Sequence, residues 1–173
     1  MKDGTILLWR VKKNSGFGPK LIAFRTGMPY YHVAVYLGSK TYDETPKGAG
    51  ARGGLKPADE FWEPIEDLTD EETRRMWAFL WWTAEFKHGG RWPYNFLKFV
   101  VLALVYPTKK FWNRIGWMPF QSDLLGEVCS TYVDYAWRAA GRDLLSDWWE
   151  EFTVPGDLAG LPGFELVVRY NRT

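Results

Sequence analysis

The chain is short of the residues from which most metal and disulfide sites are built. Among its 173 residues there is one cysteine, Cys129, and there are two histidines, His32 and His88. One cysteine excludes an internal disulfide and leaves a free thiol whose role needs an explanation. Two histidines and one cysteine at these spacings match no zinc-ligand pattern, so neither a metal nor another cofactor is expected.

Strong net charge and long apolar runs are also missing. The 22 basic and 21 acidic residues leave a formal net charge of +1, which gives no electrostatic case for a nucleic-acid partner. The longest apolar run, from Phe96 to Tyr106, contains Lys98 and is well short of the ~20 residues that a bilayer span needs. No transmembrane segment is therefore expected.

The N-terminus lacks the features of a secretory signal peptide. The apolar stretch Thr5–Trp9 is too short for the hydrophobic region of a signal, and no small-residue cleavage site follows it. The sequence therefore favours a cytoplasmic protein, or one delivered by a phage particle, specialised export or lysis.

Aromatic residues, in contrast, are abundant. They make up 18% of the chain, with 11 Trp, 11 Phe and 9 Tyr, and indicate an aromatic-rich core or a surface that meets lipid, glycan or a partner. A Trp-rich segment at about 107–122 contains Phe111, Trp112, Trp117 and Phe120. It is expected to be an insertion in a single domain spanning residues 1–173, and a candidate for membrane-surface contact.

Short β-branched and aromatic runs predict strands that alternate with helical segments. The hairpin formed by Tyr31–Leu37 and Lys40–Glu44 is the clearest, because Gly38-Ser39 supplies its turn. Thr45–Gly54 is predicted to be a flexible loop by its glycine content. The other predicted strands and helical turns are Thr5–Arg10, Pro19–Phe24 (helical), Phe61–Ile65 (an edge strand because of Pro64) and Phe164–Tyr170.

Two longer helices have clear start or stop signals. Thr69-Asp70-Glu71-Glu72 forms a capping box and opens an apolar helix. The second helix covers residues 127–141 and ends at Gly141. Its apolar face recurs at steps of three and four residues: Cys129, Tyr132, Val133, Ala136 and Ala140.

Cys129 and His32 are the residues of this pattern that can carry chemistry. Cys129 lies in the first helical turn, where unpaired backbone N–H groups and the helix dipole favour a thiolate. A free cysteine can equally be a small buried apolar residue. His32 opens an otherwise apolar strand, where an ionisable ring needs a partner. A helix-head cysteine, a strand histidine and an acid on the next strand are the parts of a thiol triad.

The order His, acid, Cys, together with a set of local motifs, resembles the circularly permuted NlpC-like branch of the papain-fold cysteine peptidases, close to the YiiX-like group. The motifs are scattered in the family's order over nearly the whole chain. They are Asp3-Gly4-Thr5-Ile6-Leu7-Leu8, Tyr31-His32-Val33-Ala34-Val35-Tyr36-Leu37-Gly38, Tyr42-Asp43-Glu44, Pro93-Tyr94-Asn95, Val128-Cys129-Ser130-Thr131-Tyr132-Val133 and Pro155-Gly156-Asp157-Leu158.

The resemblance implies an α+β, single-domain permuted papain-like fold, with an antiparallel sheet packed on helices and the cysteine at a helix N-terminus. It implies Cys129 as nucleophile, His32 as general base and acid, and Glu44 as the residue that orients the imidazole. Asp43 is the alternative third member if the strand is bulged. Oxyanion or substrate contacts are expected from three further residues: Tyr94, Ser130 and Tyr36.

The implied activity is acyl transfer through a thioester, with amide bonds as the expected target. The substrate would be a peptide, including the stem peptides of bacterial peptidoglycan. An acyl lipid is the alternative, because the permuted branch also contains lipid acyl hydrolases and acyltransferases. A non-catalytic papain-like module, with its aromatic surface as an interface, is the interpretation from another class.

Overall fold

The computed structural model describes residues 1–45, 48–86, 129–145 and 153–169. In this part of the chain, six strands form one sheet and three α-helices accompany it. The elements in chain order are β1 (Thr5–Arg10), α1 (Phe17–Thr26), β2 (Tyr30–Leu37), β3 (Lys40–Thr45), β4 (Gly48–Gly53), β5 (Glu60–Pro64), α2 (Asp70–Trp81), a π-helical turn (Trp82–Phe86), α3 (Cys129–Ala140), a 3₁₀ turn (Pro155–Leu158) and β6 (Phe164–Arg169).

The sheet is antiparallel at every pairing, with the strand order β4-β3-β2-β1-β5-β6. The predicted hairpin at its centre is confirmed: β2 pairs with β3 from Leu37 and Lys40 inwards. Gly38 and Ser39 both have positive φ, at 55° and 65°, as a two-residue hairpin turn of this twist requires. The described part of the chain therefore has an α+β fold with one six-stranded sheet.

The two longer helices pack together on the sheet and form the main core with it. The capping box of α2 is present, with the Thr69 hydroxyl accepting from the Glu72 N–H and the Glu72 carboxylate accepting from the Thr69 N–H. All five residues of the predicted apolar face of α3 are buried. Gly141 ends this helix with a φ of 94°, which glycine adopts without steric cost.

Gly4 lets the start of β1 approach α3. Its φ is 84°, and a Cβ at this position would lie 2.6 Å from Cζ2 of Trp137. Only glycine combines that backbone angle with such a close contact. Asp3 connects the same segment to the β2–β3 turn, since its Oδ1 accepts a hydrogen bond from the Gly38 N–H at 2.8 Å.

The prediction of a flexible loop over Thr45–Gly54 is wrong. Gly48–Gly53 is the strand β4 and pairs with the whole of β3, from Thr45↔Gly48 to Lys40↔Gly53. Glycine weakens a strand but does not prevent ladder hydrogen bonds. Neighbouring β3 supplies those bonds, so tertiary pairing overrides the local preference.

The prediction of an edge strand at Phe61–Ile65 is also wrong in position. β5 lies between β1 and β6. Pro64 is tolerated because it occupies the terminal pair, opposite Phe164, where its missing N–H interrupts no further ladder bond. The helical turns expected over Pro19–Phe24 are the longer α1.

Some expected features fall outside the described residues. These are Tyr94, His88, the apolar run from Phe96 to Tyr106 and the Trp-rich segment at about 107–122. Over the described ranges, no helix combines the length and apolarity needed to cross a membrane.

Candidate functional site

Cys129 is the first residue of α3, which packs across β2 and β3. Its side chain is 7% exposed and borders the main core. The first backbone N–H groups of a helix have no intrahelical partner. Cys129 is the N-terminal described residue of α3, and residues 121–128 lie outside the described part of the chain.

His32 lies near the beginning of β2, and its imidazole contacts both a carboxylate and the thiol. Nε2 is 3.3 Å from Oδ2 of Asp43, a buried residue of β3. The Cys129 thiol lies close enough to the same ring to raise the pKa of the imidazole. The Trp9 ring lies against the imidazole, with centroids 5.1 Å apart. The fold thus brings one nucleophile, one imidazole and one carboxylate together.

The carboxylate at His32 is Asp43 and not Glu44. Glu44 was the expected third member, and Asp43 the alternative. Successive residues of a strand point to opposite faces. Asp43 pairs with Ala34, whose side chain packs on the face of the sheet away from the main core. His32 is two positions before Ala34 on β2 and therefore points to the same face as Asp43. Glu44 pairs with Ala49 and lies two positions from Tyr42 on β3. Both of these residues belong to the main core, so Glu44 points to the side of the helices.

Glu44 is fully buried on the helix side of β3. Its carboxylate also affects Tyr132 of α3. Burial raises the pKa of the Tyr132 hydroxyl, a hydrogen bond with Thr83 lowers it, and the charge of Glu44 raises it further. Glu44 therefore belongs to the packing between β3 and α3, whereas Asp43 belongs to the site.

The environment of His32 favours its charged form. Burial lowers the pKa of the imidazole, but hydrogen bonds to Asp43 and Cys129 and the charges of both outweigh it, so the pKa is raised from 6.5 to about 9. At neutral pH the ring is then an imidazolium, which can stabilise a thiolate beside it.

Asp43 has two further cationic partners. Arg52 Nε lies 3.0 Å from Oδ1, and Lys56 Nζ forms an ion pair with Oδ2, the oxygen that also faces His32. Burial raises the pKa of Asp43, but hydrogen bonds from His32, Lys56 and Arg52 lower it well below its usual range. The carboxylate therefore stays ionised across the physiological range and is held from both oxygens.

Arg52 and Lys56 were not anticipated from the sequence. Arg52 is on β4, where the glycine content predicts a loop, and Lys56 follows that strand. In the ladder Arg52 pairs with Thr41, two positions from the Asp43↔Gly50 pair and on the same face. Placing Arg52 beside Asp43 requires both the strand β4 and its register with β3.

The three predicted substrate contacts have different outcomes. Ser130 is buried and its hydroxyl donates to the Thr153 carbonyl, so it ties α3 to the chain before the 3₁₀ turn. Tyr36 lies four residues after His32 on the same strand, which is about 13 Å away at the usual strand rise. Tyr94 is outside the described residues. The role of Tyr94 stays a prediction, and the structure gives Ser130 and Tyr36 the positions just described.

Comparisons with known proteins show a likeness of fold alone. No family model matches the chain, and no curated protein matches it. Solved structures do match. One is the crystal structure of the metalloprotein YiiX from Escherichia coli O157:H7, with a TM-score of 0.54 and 13% identity over 98% of this chain and 97% of that chain.

That neighbour is described as a metalloprotein, so the described residues of this chain can be compared with what a metal site needs. In the four described ranges, no group of three or more His, Cys, Asp or Glu side chains is arranged to hold a metal ion. Both oxygens of Asp43 already contact cationic side chains. The described residues therefore provide no ligand set for a resident metal.

Proposed function

We propose that this protein is a cysteine hydrolase of the permuted papain-like, NlpC-like type, with Cys129 as nucleophile, His32 as general acid and base, and Asp43 as the orienting carboxylate. The observation that carries the proposal is the imidazole of His32, which is 3.3 Å from Oδ2 of Asp43 and whose pKa is raised in part by the nearby Cys129 thiol. A nucleophile beside a base that a third group orients is the general arrangement of covalent acyl-transfer enzymes.

The proposed reaction begins with the thiolate of Cys129. Its Sγ attacks the carbonyl carbon of an amide, and the carbonyl oxygen becomes an oxyanion. When the C–N bond breaks, the His32 imidazolium gives its proton to the leaving amine, and a thioester remains. The now neutral imidazole takes a proton from water, which attacks the thioester, releases the carboxylic acid and restores the thiolate.

The two ring nitrogens have different roles in this proposed scheme. Nε2 faces Asp43, which leaves Nδ1 as the nitrogen that exchanges the proton with the thiol. The backbone N–H of Cys129 supplies part of the oxyanion hole, as a helix start can. Asp43 remains ionised throughout, since its two ion pairs hold its pKa low.

The proposed substrates are peptide amides, with the stem peptides of bacterial peptidoglycan as the first class to test. The NlpC-like resemblance supports this class. Acyl lipids are the second class, and the two exposed phenylalanines of α1 favour them.

The test is the rate of Cys129 alkylation by iodoacetamide as a function of pH. An ordinary thiol titrates near pH ~8.5, whereas a thiol paired with histidine reacts well below that. We expect fast alkylation at pH ~6 in the wild type, and a loss on the order of a hundredfold in His32→Ala. Because Cys129 is the only cysteine, every label reports this one site.

His88→Ala is the matched control, because His88 is the only other histidine, and it should alkylate like the wild type. The urea-unfolded protein supplies the rate of the unpaired thiol. Slow alkylation that is equal in wild type and His32→Ala would sink the proposal. Cys129 would then be a core residue, and the interpretation as a non-catalytic module would replace the enzyme.

A further inference from the structure

Helix α1 presents an outer face that nothing in the described structure covers. No residue of this helix is buried. Phe17 is 81% exposed and Phe24 is 80% exposed. Positions 17, 20, 21 and 24 recur at helical spacing and lie on one side. This outer face consists of Phe17, Lys20, Leu21 and Phe24.

Two exposed phenylalanines on one face are unusual for a surface with no partner. Large aromatic side chains are normally withdrawn from water, and clustered exposed ones mark interaction sites. The opposite side of α1, with Pro19, Ile22 and Ala23, is half-buried, and the helix packs against β2. The outer face is therefore the side that the fold leaves for something else.

The stretch of sequence that carries this face has charged residues of one sign only. No aspartate or glutamate occurs between Asp3 and Asp43, whereas that stretch contains six basic residues. Arg10 and Lys12 are paired with Glu60 and Asp59. Lys13 and Lys20, in contrast, are exposed beside the two phenylalanines.

We propose that the outer face of α1 docks the protein on an anionic membrane surface. The phenylalanine rings would enter the boundary between headgroups and acyl chains, and Lys13 and Lys20 would meet the lipid phosphates. Exposed aromatic side chains with basic residues nearby can bind such interfaces through apolar burial and attraction to anionic lipids. Basic residues near an anionic leaflet add to the attraction.

The charge pattern favours lipid over a second copy of the chain. Two copies facing each other through α1 would bring Lys13 and Lys20 of both together, with no acidic residue in the same stretch to balance them. An anionic lipid surface balances these charges instead. Such docking is independent of the chemistry at Cys129, and it would bring an acyl-lipid substrate to the protein.

The experiment is co-sedimentation of the full chain with vesicles. One set contains equal parts of phosphatidylglycerol and phosphatidylcholine, and the other contains phosphatidylcholine alone. We expect binding to the anionic vesicles, weaker binding to the neutral ones, and a loss of about tenfold in the partition coefficient for Phe17→Ser or Phe24→Ser. Lys20→Glu should weaken binding by a similar factor at low salt, and by less at high salt.

Ile65→Ser is the matched control. Ile65 is another exposed apolar side chain, at 57%, but it is followed in the sequence by Glu66 and Asp67. It should bind as the wild type does. Cys129→Ala should also bind normally, so failure of the docking proposal and failure of the proposed hydrolase remain distinguishable. The high exposure of both phenylalanines predicts unchanged melting temperatures.

Three outcomes would overturn the proposal. The wild type does not bind anionic vesicles, the phenylalanine variants bind as well as the wild type, or Ile65→Ser loses as much as they do. A wild-type dimer that becomes a monomer in Phe17→Ser, without any vesicle binding, would assign the face to a second copy of the chain.

Discussion

Two buried carboxylates of the sheet, Asp43 and Glu60, have surroundings that look alike. Glu60 on β5 is fully buried, and three of its partners are described. Its Oε2 accepts from the Tyr30 hydroxyl at 2.8 Å and from the Trp62 indole at 3.1 Å, and its Oε1 accepts from Arg10 at 3.2 Å. By a count of contacts, Glu60 is as well connected as Asp43.

The difference lies in which partners can exchange a proton near neutral pH. Tyrosine, tryptophan and arginine keep their protons there. Asp43 instead holds His32, and His32 in turn contacts the Cys129 thiol. A buried carboxylate with three donors is thus a structural anchor in one place and part of a candidate catalytic site in the other. The groups one contact further out distinguish the two.

Replacing each carboxylate by its amide should separate these roles. Both Asp43→Asn and Glu60→Gln remove a buried charge that has cationic partners, so each should lower the free energy of unfolding by roughly 2 kcal/mol. Only Asp43→Asn should also slow alkylation of Cys129 at pH ~6, on the order of a hundredfold. Chemical denaturation and alkylation kinetics on the same variants measure the two effects.

Glu44→Gln is the control for position, because Glu44 is the neighbour of Asp43 and faces the core. We expect it to cost stability and to leave the alkylation profile unchanged. If Glu44→Gln slows alkylation and Asp43→Asn does not, the third member of the triad is Glu44, as the family resemblance implies.

The free energy of unfolding should change with pH because the folded state raises the pKa of His32. Folding raises the pKa of His32 from 6.5 to about 9, so the folded state holds the proton more tightly than the unfolded state. This contribution is complete below pH ~6.5 and is lost as the pH rises through ~9. Its size is on the order of 2 kcal/mol, allowing for the partial exposure of the ring.

Denaturation between about pH 6 and about pH 10 measures this step. His32→Gln should remove it, and Glu60→Gln should lower stability equally across the whole range. A step of unchanged size in His32→Gln would mean that another group titrates in this window.

The smallest expected effect concerns Lys56, which shares Oδ2 of Asp43 with His32. Lys56→Gln removes a like charge near the imidazolium and frees the carboxylate for it. The pKa of His32 should therefore rise, by about half a unit. NMR titration of the imidazole protons measures the shift, with His88→Ala to assign the two histidines.

A fall in the pKa of His32 in Lys56→Gln would contradict this reasoning. It would mean that Lys56 acts mainly by holding Asp43 in place, and that the carboxylate moves away from the ring without it.

Local patterns were sufficient for much of the fold and for two residues of the candidate site. The Gly38-Ser39 turn, the capping box at Thr69 and the apolar face of α3 each predicted the element that the structure has. Each depends on residues close together in the chain. Cys129 and His32 followed from the same kind of pattern, because a helix start and a strand start position one side chain each.

The strand β4 and its consequences did not follow from local patterns. A segment rich in glycine has weak intrinsic strand preference, and it becomes a strand here because β3 offers a complete row of backbone partners. Arg52 could be placed beside Asp43 only after that pairing was known. Lys56, in the loop beyond β4, depends on it as well.

The sequence by itself indicated that a free thiol lies in the first turn of a helix with one buried face and that a histidine opens a strand. Only the tertiary structure decided which of two adjacent carboxylates, Asp43 or Glu44, reaches that histidine. The side-chain period of a strand is two residues, so a difference of one position moves a carboxylate to the opposite face of the sheet. Pairing between strands sets the face, and local sequence does not.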